Sequence, residues 1–267
     1  MNSAHRLALL VVLAIAISFA RAEEPTPTAT NAYNNYLTHL EARLSVQHRA
    51  PQNYLAKEES SRLRAGNLLI EQVNSRADES RADEDLPGAM LHHWRGTAFI
   101  SGAHAADFER LLRNYPAYPQ VYAPQVLTAR TLAQQGDHMK ASMRVRQKHV
   151  ITVVLDTDYD VAFAHLDPAH GASIAHGTRV TEIADAGTAK EHRLSPRDQQ
   201  GFLWRIDTYW SWAEQDGGLY IQIESVTQTR GIPHGLGWIV SPFVQSIPRE
   251  SLEFTLRQTV QALARRN

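Results

Sequence analysis

Apolar and polar residues alternate from Phe202 to Trp212, which predicts a β-strand with one aromatic face and one mostly polar face. Asp216 and Gly217 follow, and this dipeptide favours a two-residue hairpin loop that leads into a second alternating strand. Such a loop fixes the register, so that the apolar face of one strand continues into that of the other. The predicted cross-strand pairs are Trp212 with Ile221, Trp210 with Ile223, Thr208 with Ser225, Ser211 with Gln222 and Tyr209 with Glu224.

The second face of this hairpin is polar and predicts a solvated outer surface. It carries Ser211, Tyr209, Gln222 and Glu224. Arg205 and Asp207 have the same parity as Tyr209, and we interpret these three as surface residues or interstrand pairs on that face.

A closing helix is predicted after the hairpin. Pro248 suits the first position of a helix, and apolar residues then recur at helical spacing. The stripe consists of Leu252, Leu256, Val260 and Leu263. It predicts an amphipathic helix that covers the aromatic face of the hairpin.

The upstream elements complete an α+β pattern. A helix is predicted from Asn31 to Gln47 on the outside of the main body, after a flexible spacer from Glu23 to Thr30, and a second helix ends near Tyr115. The other strands are predicted at 68–73, 89–100, 126–133, 139–145, 150–155, 159–165 and 173–183. This order predicts a curved antiparallel sheet with the C-terminal helix held across its concave face.

An acidic segment requires a separate interpretation. Asp156, Asp158 and Asp160 have the spacing that opens a calcium-binding loop, with Asp167 at a later ligand position. Val161 stands where such a loop requires glycine, so we predict an acidic hairpin turn and assign no metal. The nearby basic row is interpreted as a solvated strand face, with contact to anionic lipid as the alternative. It contains Lys140, Arg144, Arg146 and Lys148.

The N-terminus has the features of an export signal. His5 and Arg6 precede an apolar run from Leu7 to Phe19, and Ala20-Arg21-Ala22 provides an A-x-A cleavage site. The run is shorter than the roughly 20 residues that span a bilayer, so cleavage near Ala22 is preferred over an uncleaved anchor. We therefore expect the protein in the periplasm or outside the cell.

Composition narrows the function classes. The 267 residues include no cysteine, which excludes disulfides, thiolate metal sites and a cysteine nucleophile. A formal net charge of −1 gives no indication of a nucleic-acid partner. The predicted organisation is a signal peptide at 1–22, a spacer and helix at 23–66 and one domain at 67–267.

Four motifs accompany this element order. They are Leu91-His92-His93-Trp94-Arg95-Gly96, Asp216-Gly217-Gly218, Arg230-Gly231-Ile232-Pro233 and Ile247-Pro248-Arg249-Glu250-Ser251-Leu252. Over about Leu68 to Leu263 the chain resembles the START-like superfamily, which also contains polyketide cyclases and coenzyme Q-binding proteins. The resemblance implies a helix-grip fold whose sheet and C-terminal helix enclose a tunnel for a hydrophobic ligand. It leaves the ligand open, because members bind sterols, phospholipids, quinones or plant metabolites, and some are enzymes.

The aromatic face is the predicted ligand site, with tryptophans and methionines as its walls. Thr208 and Ser225 are candidates to anchor a polar end of the ligand; alternatively, their hydroxyls bond the backbone or each other. The predicted ligand-binding residues are Met139, Met143, Trp204, Thr208, Trp210, Trp212, Ile221, Ile223, Ser225, Leu252 and Leu256. Trp238 and Phe243 are the predicted mouth of the cavity, where transient contact with a membrane surface is expected.

Three functions remain open. The preferred one is an exported protein that binds a hydrophobic small molecule, such as a lipid, isoprenoid or quinone, for transport or sequestration. The second is an enzyme of the polyketide cyclase or aromatase kind, with Arg205, Asp207 or Tyr209 as its polar group, and the third is a non-catalytic interaction domain with a filled core. The motifs of common hydrolases, zincins, kinases and dinucleotide enzymes are missing, so no catalytic residue or cofactor is assigned.

Overall fold

The structure is a computed structural model that describes residues 24–56, 60–73, 86, 88–148, 152–231 and 237–265. Within 237–245 it describes the backbone alone. The predicted export signal therefore lies outside the described residues. None of the described helices is both long enough and apolar enough to span a membrane.

The chain forms an antiparallel sheet of nine strands with helices on both of its faces. The helices are α1 (Pro27–Gln47), α2 (Ser60–Arg64), α3 (Ala105–Arg113), α4 (Tyr118–Val121) and α5 (Gly237–Ala264). The strands are β1 (Leu69–Gln72), β2 (Ala89–Ser101), β3 (Val126–Gln135), β4 (His138–Lys148), β5 (Thr152–Asp167), β6 (His170–Ala184), β7 (His192–Arg193), β8 (Arg205–Gln215) and β9 (Gly218–Arg230). Their order is β1-β2-β9-β8-β6-β5-β4-β3, and β7 pairs with β6.

The β8–β9 hairpin has the predicted register at every pair that the sequence indicated, including Trp210 with Ile223 and Thr208 with Ser225. Asp216 and Gly217 form its loop, with φ angles of 56° and 74°. Two adjacent positive φ angles are what a type I′ turn requires, and the right-handed twist of such a turn suits the strands that it joins. The Asp-Gly signal therefore fixed this register correctly.

The sheet holds α5 across one face, which we call the inner face. At Gly96 on β2, an added Cβ atom would lie 2.8 Å from Leu252 Cδ2, so a side chain here would displace Leu252 and the strand approaches the helix closely at this glycine. On the other side of the helix, Gln147 Nε2 of β4 donates a hydrogen bond to Ser251 Oγ at 3.0 Å. Contacts from both sides to one turn of α5 confirm the predicted helix-grip fold.

Helix α1 covers the opposite face of the sheet, which we call the outer face. Its apolar side chains pack around Tyr209 and Val226, with Tyr33 fully buried between them. The prediction of a solvated outer surface is wrong, because Tyr209, Ser211, Gln222 and Glu224 are each at most 3% exposed. Alternation fixed which residues share this face, but it carried no information about what covers the face.

Several predicted boundaries are also wrong. Helix α1 begins at Pro27, where Thr26 Oγ1 caps the amide of Ala29 at 3.1 Å, so the second half of the predicted flexible spacer is helical. Helix α5 begins at Gly237, and Pro248 therefore lies inside it. The predicted turn at the cavity mouth is helical from Gly237 onward, while the side chains of Trp238 and Phe243 lie outside the described residues.

The predicted acidic hairpin turn does not exist, because β5 is one continuous strand through Asp156, Asp158 and Asp160. The three carboxylates face neighbouring strands and pair with cations there. Arg144 bonds Asp156 through two nitrogens at 2.6 and 2.9 Å, and Arg179 lies 2.6 Å from Asp158. Opposite charges on adjacent strands explain the acidic run. Arg144 is ion-paired in this way, so the prediction of a solvated basic row is wrong for this residue.

Candidate functional site

Most of the predicted ligand-binding residues meet on the inner face in one apolar core. Strands β4, β8 and β9 and helix α5 contribute them, because even-numbered positions of β8 and odd-numbered positions of β4 and β9 point to the same side. The buried members of the predicted set are Met139, Trp210, Trp212, Ile221, Ile223, Leu252 and Leu256, each at most 7% exposed.

One part of this core is closely packed. Phe108 of α3 meets Trp210 and Trp212 edge to face, with ring centroids 5.2 and 5.4 Å away. At Gly171 on β6, an added Cβ atom would lie 2.2 Å from the Trp212 ring, so the indole occupies the space that a side chain would need. The sequence predicted the helix that contains Phe108 and ends near Tyr115, but it did not indicate that Phe108 contacts the two tryptophans.

Another part of the inner face is less tightly covered. Trp94, Ser225, Thr208 and Ala175 lie side by side on β2, β9, β8 and β6, and all four are only partly buried. We call them the half-buried row. Met143 and Trp204, which also belong to the predicted set, are partly buried as well.

The two neighbouring rows are more completely buried. On one side lie Gly96, Ile223, Trp210 and Ser173, all buried, and on the other side lie His92, Thr227, Ile206 and Gly177, of which Ile206 alone is partly buried. The accessible surface of the half-buried row therefore lies between two rows that are mostly buried. Such surface is available to part of a ligand.

Thr208 and Ser225 are directly opposite each other in this row. Within the described part of the chain, neither hydroxyl has a hydrogen-bond partner. The structure therefore shows no hydrogen bond of the kind that the alternative explanation requires, to the backbone or between the two hydroxyls. Both groups remain available to a ligand.

A group of tyrosines closes the packed part near α3 and α4, and no sequence pattern indicated that they meet. Tyr122 shares a hydrogen bond with Thr259 of α5 at 3.0 Å, and Tyr118 donates to the carbonyl of Leu112 at 2.8 Å. Burial raises the pKa of Tyr122 and of Tyr159 to about 12. Near neutral pH these phenols keep their protons, so they serve as hydrogen-bond donors rather than as bases.

The polar residues considered for catalysis face the other way. Asp207 is fully buried, accepts a hydrogen bond from Tyr33 Oη at 2.7 Å and lies 2.8 Å from His176 Nδ1. Tyr209 donates to Glu41 of α1 at 2.8 Å, and the guanidinium of Arg205 lies over the Tyr33 ring at 5.0 Å. All three contact α1 on the outer face, so none of them reaches a ligand on the inner face.

Glu224 is the centre of a second polar group beneath α1. Arg43 bonds its carboxylate at 2.5 Å and His93 Nε2 lies 2.8 Å from it, while Tyr36 Oη lies 2.6 Å from His93 Nδ1. Burial alone would raise the pKa of Glu224, but the hydrogen bond with His93 and the charge of Arg43 outweigh it and lower the pKa to about 2. Glu224 is therefore ionised and joins the helix to the sheet.

His92 and His93 point to opposite faces of the sheet, as adjacent residues of a strand do. His93 lies on the outer face beneath α1, whereas His92 lies on the inner face, 3.3 Å from Thr229 Oγ1. The two imidazoles therefore cannot share one ligand.

No family model and no curated protein matches this chain. A STAR-related lipid transfer protein from Xanthomonas axonopodis is similar over 73% of this chain and 98% of its own, with 16% identity and a TM-score of 0.44. Human STARD10 is similar over 92% of this chain and 84% of its own, with 9% identity and a TM-score of 0.44. The Zhui aromatase/cyclase from Streptomyces sp. R1128 is similar over 66% of this chain and 96% of its own, with 13% identity and a TM-score of 0.39.

Identities and TM-scores of this size assign neither a ligand nor a reaction to this chain. The helix-grip fold follows from the chain's own strand order, its β8–β9 hairpin and the helix held across the inner face.

Proposed function

We propose that this protein is exported and binds a hydrophobic small molecule between the inner face of the sheet and α5, for transport or sequestration. The half-buried row carries the proposal. Trp94, Ser225, Thr208 and Ala175 keep accessible surface although all but one of the residues in the rows on both sides are buried. A filled core would bury these four residues as completely as their neighbours.

Hydrophobic burial supplies enough free energy for such binding without special chemistry. Each buried methylene group contributes about 0.8 kcal/mol, so an acyl or isoprenoid chain of a dozen carbons gains on the order of 10 kcal/mol before ordering costs. The partly buried Met143 and Trp204 add an adaptable wall and an aromatic wall to the same face. A lipid, an isoprenoid or a quinone is compatible with these walls.

Export is part of the proposal because of the sequence before α1. The basic start, the apolar run from Leu7 to Phe19 and the A-x-A site at Ala20 to Ala22 have the order of a secretory signal. Expression of the full chain in a bacterial host, followed by N-terminal sequencing of the exported protein, tests this. We expect a mature chain that begins at Glu23, whereas a full-length protein retained in the cytoplasm would contradict export.

Native mass spectrometry tests ligand binding directly. The intact mass of protein purified without detergent from the exporting host is measured before and after extraction with organic solvent. The extract is then analysed for lipids. We expect a stoichiometric apolar adduct that is lost on extraction. A bare mass that persists after incubation with mixed lipids, isoprenoids and quinones would support the filled-core alternative instead.

Thr208→Leu fills the half-buried row and is the matched structural test. We expect it to abolish the adduct, because the larger side chain occupies the space between the two neighbouring rows. Thr38→Leu is the control, since Thr38 is exposed on α1 and bonds only the carbonyl of Asn34 in its own helix. The control should leave the adduct unchanged.

A further inference from the structure

Two polar atoms on the inner face are buried without any hydrogen-bond partner: Trp94 Nε1 and Thr227 Oγ1. Trp94 belongs to the half-buried row, and Thr227 lies in the adjacent row, where it is 9% exposed. An orphaned buried donor costs about 1 to 3 kcal/mol, so folded proteins rarely keep one. In Trp94 and Thr227 the unpaired atom is the only polar atom of the side chain, so neither side chain has any hydrogen-bond partner, and this requires a cause.

The register makes the two groups neighbours. Trp94 of β2 pairs with Ser225 of β9, and Thr227 is the next residue of β9 on the same face, which places it diagonal to Trp94. Thr208 lies opposite Ser225 on β8 and adds a further hydroxyl. An indole N–H and three hydroxyls are thus grouped beside the accessible surface of the half-buried row.

We propose that this group, the polar subsite, binds a neutral oxygen acceptor at the end of the hydrophobic ligand, such as an alcohol, ketone or quinone oxygen. Trp94 Nε1 donates to that oxygen, and Thr227 Oγ1 donates to it or accepts from its hydroxyl. The inference rests on the proposed function, because it needs an apolar ligand in the half-buried row. It narrows the ligand class from apolar molecules in general to those with an uncharged oxygen at one end.

Charge argues against an ionised group at this position. The members of the polar subsite are neutral hydrogen-bond donors, and burial of an ionised phosphate or carboxylate without a charged partner is costly.

His92 is the titratable neighbour within the row of Thr227. It is 3% exposed and its Nε2 lies 3.3 Å from Thr229 Oγ1, in a pair of its own. If His92 were protonated near the ligand, an anionic end would bind more tightly than a neutral one. The test therefore includes an anionic probe.

Three probes with the same chain length separate these possibilities: hexadecane, hexadecanol and hexadecanoate, each delivered from cyclodextrin to delipidated protein. Binding is measured by titration calorimetry, and the readout is the ratio of the alcohol and alkane dissociation constants. We expect the alcohol to bind at least about fivefold more tightly than the alkane, which is the effect of one hydrogen bond. Hexadecanoate should bind more weakly than the alcohol.

The variants test whether the polar subsite causes this preference. Trp94→Phe keeps the aromatic ring, Thr227→Val keeps the shape, and the double variant should bring the alcohol-to-alkane ratio close to one. Ser211→Ala is the matched control, because it removes a buried hydroxyl from the outer face, where it bonds His48 at 2.9 Å. A variant that only loosens the fold weakens both probes together and leaves the ratio unchanged.

The outcomes separate the two proposals. If neither alkane nor alcohol binds, the proposed function fails and this inference fails with it. If both bind equally to the wild-type protein, or if the double variant keeps the alcohol preference, the ligand site stands and the polar subsite is refuted. Tighter binding of hexadecanoate would refute the neutral ligand class.

Discussion

The two faces of this sheet are both buried, but different physical forces hold their covering helices. On the inner face, α5 lies on an apolar core, whose non-directional attraction tolerates some variation in how the helix sits. On the outer face, α1 is attached through hydrogen bonds and ion pairs, including Tyr33 with Asp207 and Arg43 with Glu224. Directional contacts fix one position of α1, whereas the inner face can keep space between sheet and helix.

This difference assigns roles to the faces. Asp207 and Glu224 have specific partners on α1, and Tyr209 bonds Glu41 there. Trp94 Nε1 and Thr227 Oγ1 on the inner face have none. Arg95 Nε, Glu224 Oε1 and Gln228 Oε1 on the outer face also lack a hydrogen-bond partner, but each of these side chains is bonded through another atom. Polar side chains that are bonded within the chain are structural, while side chains without any partner beside accessible apolar surface are suited to a ligand.

Removal of the Glu224 carboxylate should have the largest effect and break the outer face. Glu224→Ala leaves Arg43 and His93 beneath α1 without their anionic partner, and we expect a loss of about 3 to 5 kcal/mol in the free energy of unfolding. Urea denaturation measures this loss. Glu71→Gln is the control, because Glu71 is exposed and pairs with Arg95 at 3.1 Å, and it should change stability by less than about 0.5 kcal/mol. Equal small effects of the two substitutions would show that the buried network adds nothing.

The sequence predicted the β8–β9 hairpin better than the cover of its outer face. Alternation and the Asp-Gly dipeptide determine register locally, so Thr208 and Ser225 were paired correctly. The burial of Glu224 depends on α1, whose Arg43 stands 181 residues earlier in the chain. No local pattern reports such a contact, and a buried polar face therefore had the same signature as a solvated one.

The candidate site was predictable to a similar extent. The sequence identified the inner face and most of its residues, since parity alone decides which side chains share a face. It did not separate the packed part from the half-buried row, because that depends on Phe108 of α3 filling the space beside Trp210 and Trp212. Trp94 appeared in a family motif, but nothing local indicated that its indole nitrogen lacks a partner.

Overpacking of the inner face should have the next largest effect. Gly171→Ala places a methyl group 2.2 Å from a Trp212 ring that is itself fixed against Phe108, and we expect a loss of about 3 kcal/mol in unfolding free energy. Thermal and urea denaturation measure it. Ala164→Ser, at an exposed position on neighbouring β5, is the control and should be neutral. A neutral Gly171→Ala variant would mean that the core beside Trp212 adapts easily and is not more tightly packed than the half-buried row.

Acid should loosen the outer face before the inner face. Burial lowers the pKa of His48 from 6.5 to about 4, where the imidazole stacks on Tyr54 at 4.5 Å. Because the folded pKa is the lower one, this contribution to stability is complete above pH 6.5 and is lost as the pH falls toward 4. We expect a decrease of about 2 kcal/mol over that range. The pKa of His93 is also lowered by burial, so this residue too makes the protein less stable as the pH falls. The pKa of His176 is raised by its hydrogen bond with Asp207, so this residue has the opposite effect on stability.

The pH dependence is measured by urea denaturation at intervals from pH 7 to pH 4. His48→Gln keeps a hydrogen-bonding group beside Ser211 but cannot titrate, so its stability should vary less over this range than that of the wild-type protein. His192→Gln, at an exposed position on β7, is the control and should follow the wild-type profile. Identical profiles for all three proteins would remove His48 as the cause.

The smallest expected effect distinguishes the two faces most sharply, because a Thr→Val substitution should change the unfolding free energy in opposite directions on them. Thr97→Val on the outer face removes the hydroxyl that accepts a hydrogen bond from Gln222 Nε2 at 2.8 Å, and we expect it to destabilise the protein by about 1 kcal/mol. Thr227→Val on the inner face removes a buried hydroxyl without a partner and should stabilise the ligand-free protein by about 0.5 to 1 kcal/mol. Urea denaturation of delipidated protein measures both. Destabilisation by Thr227→Val would mean that this hydroxyl already has a hydrogen-bond partner in the absence of ligand. Stabilisation together with loss of the alcohol preference would show that a residue that lowers the stability of the free protein is needed for ligand binding.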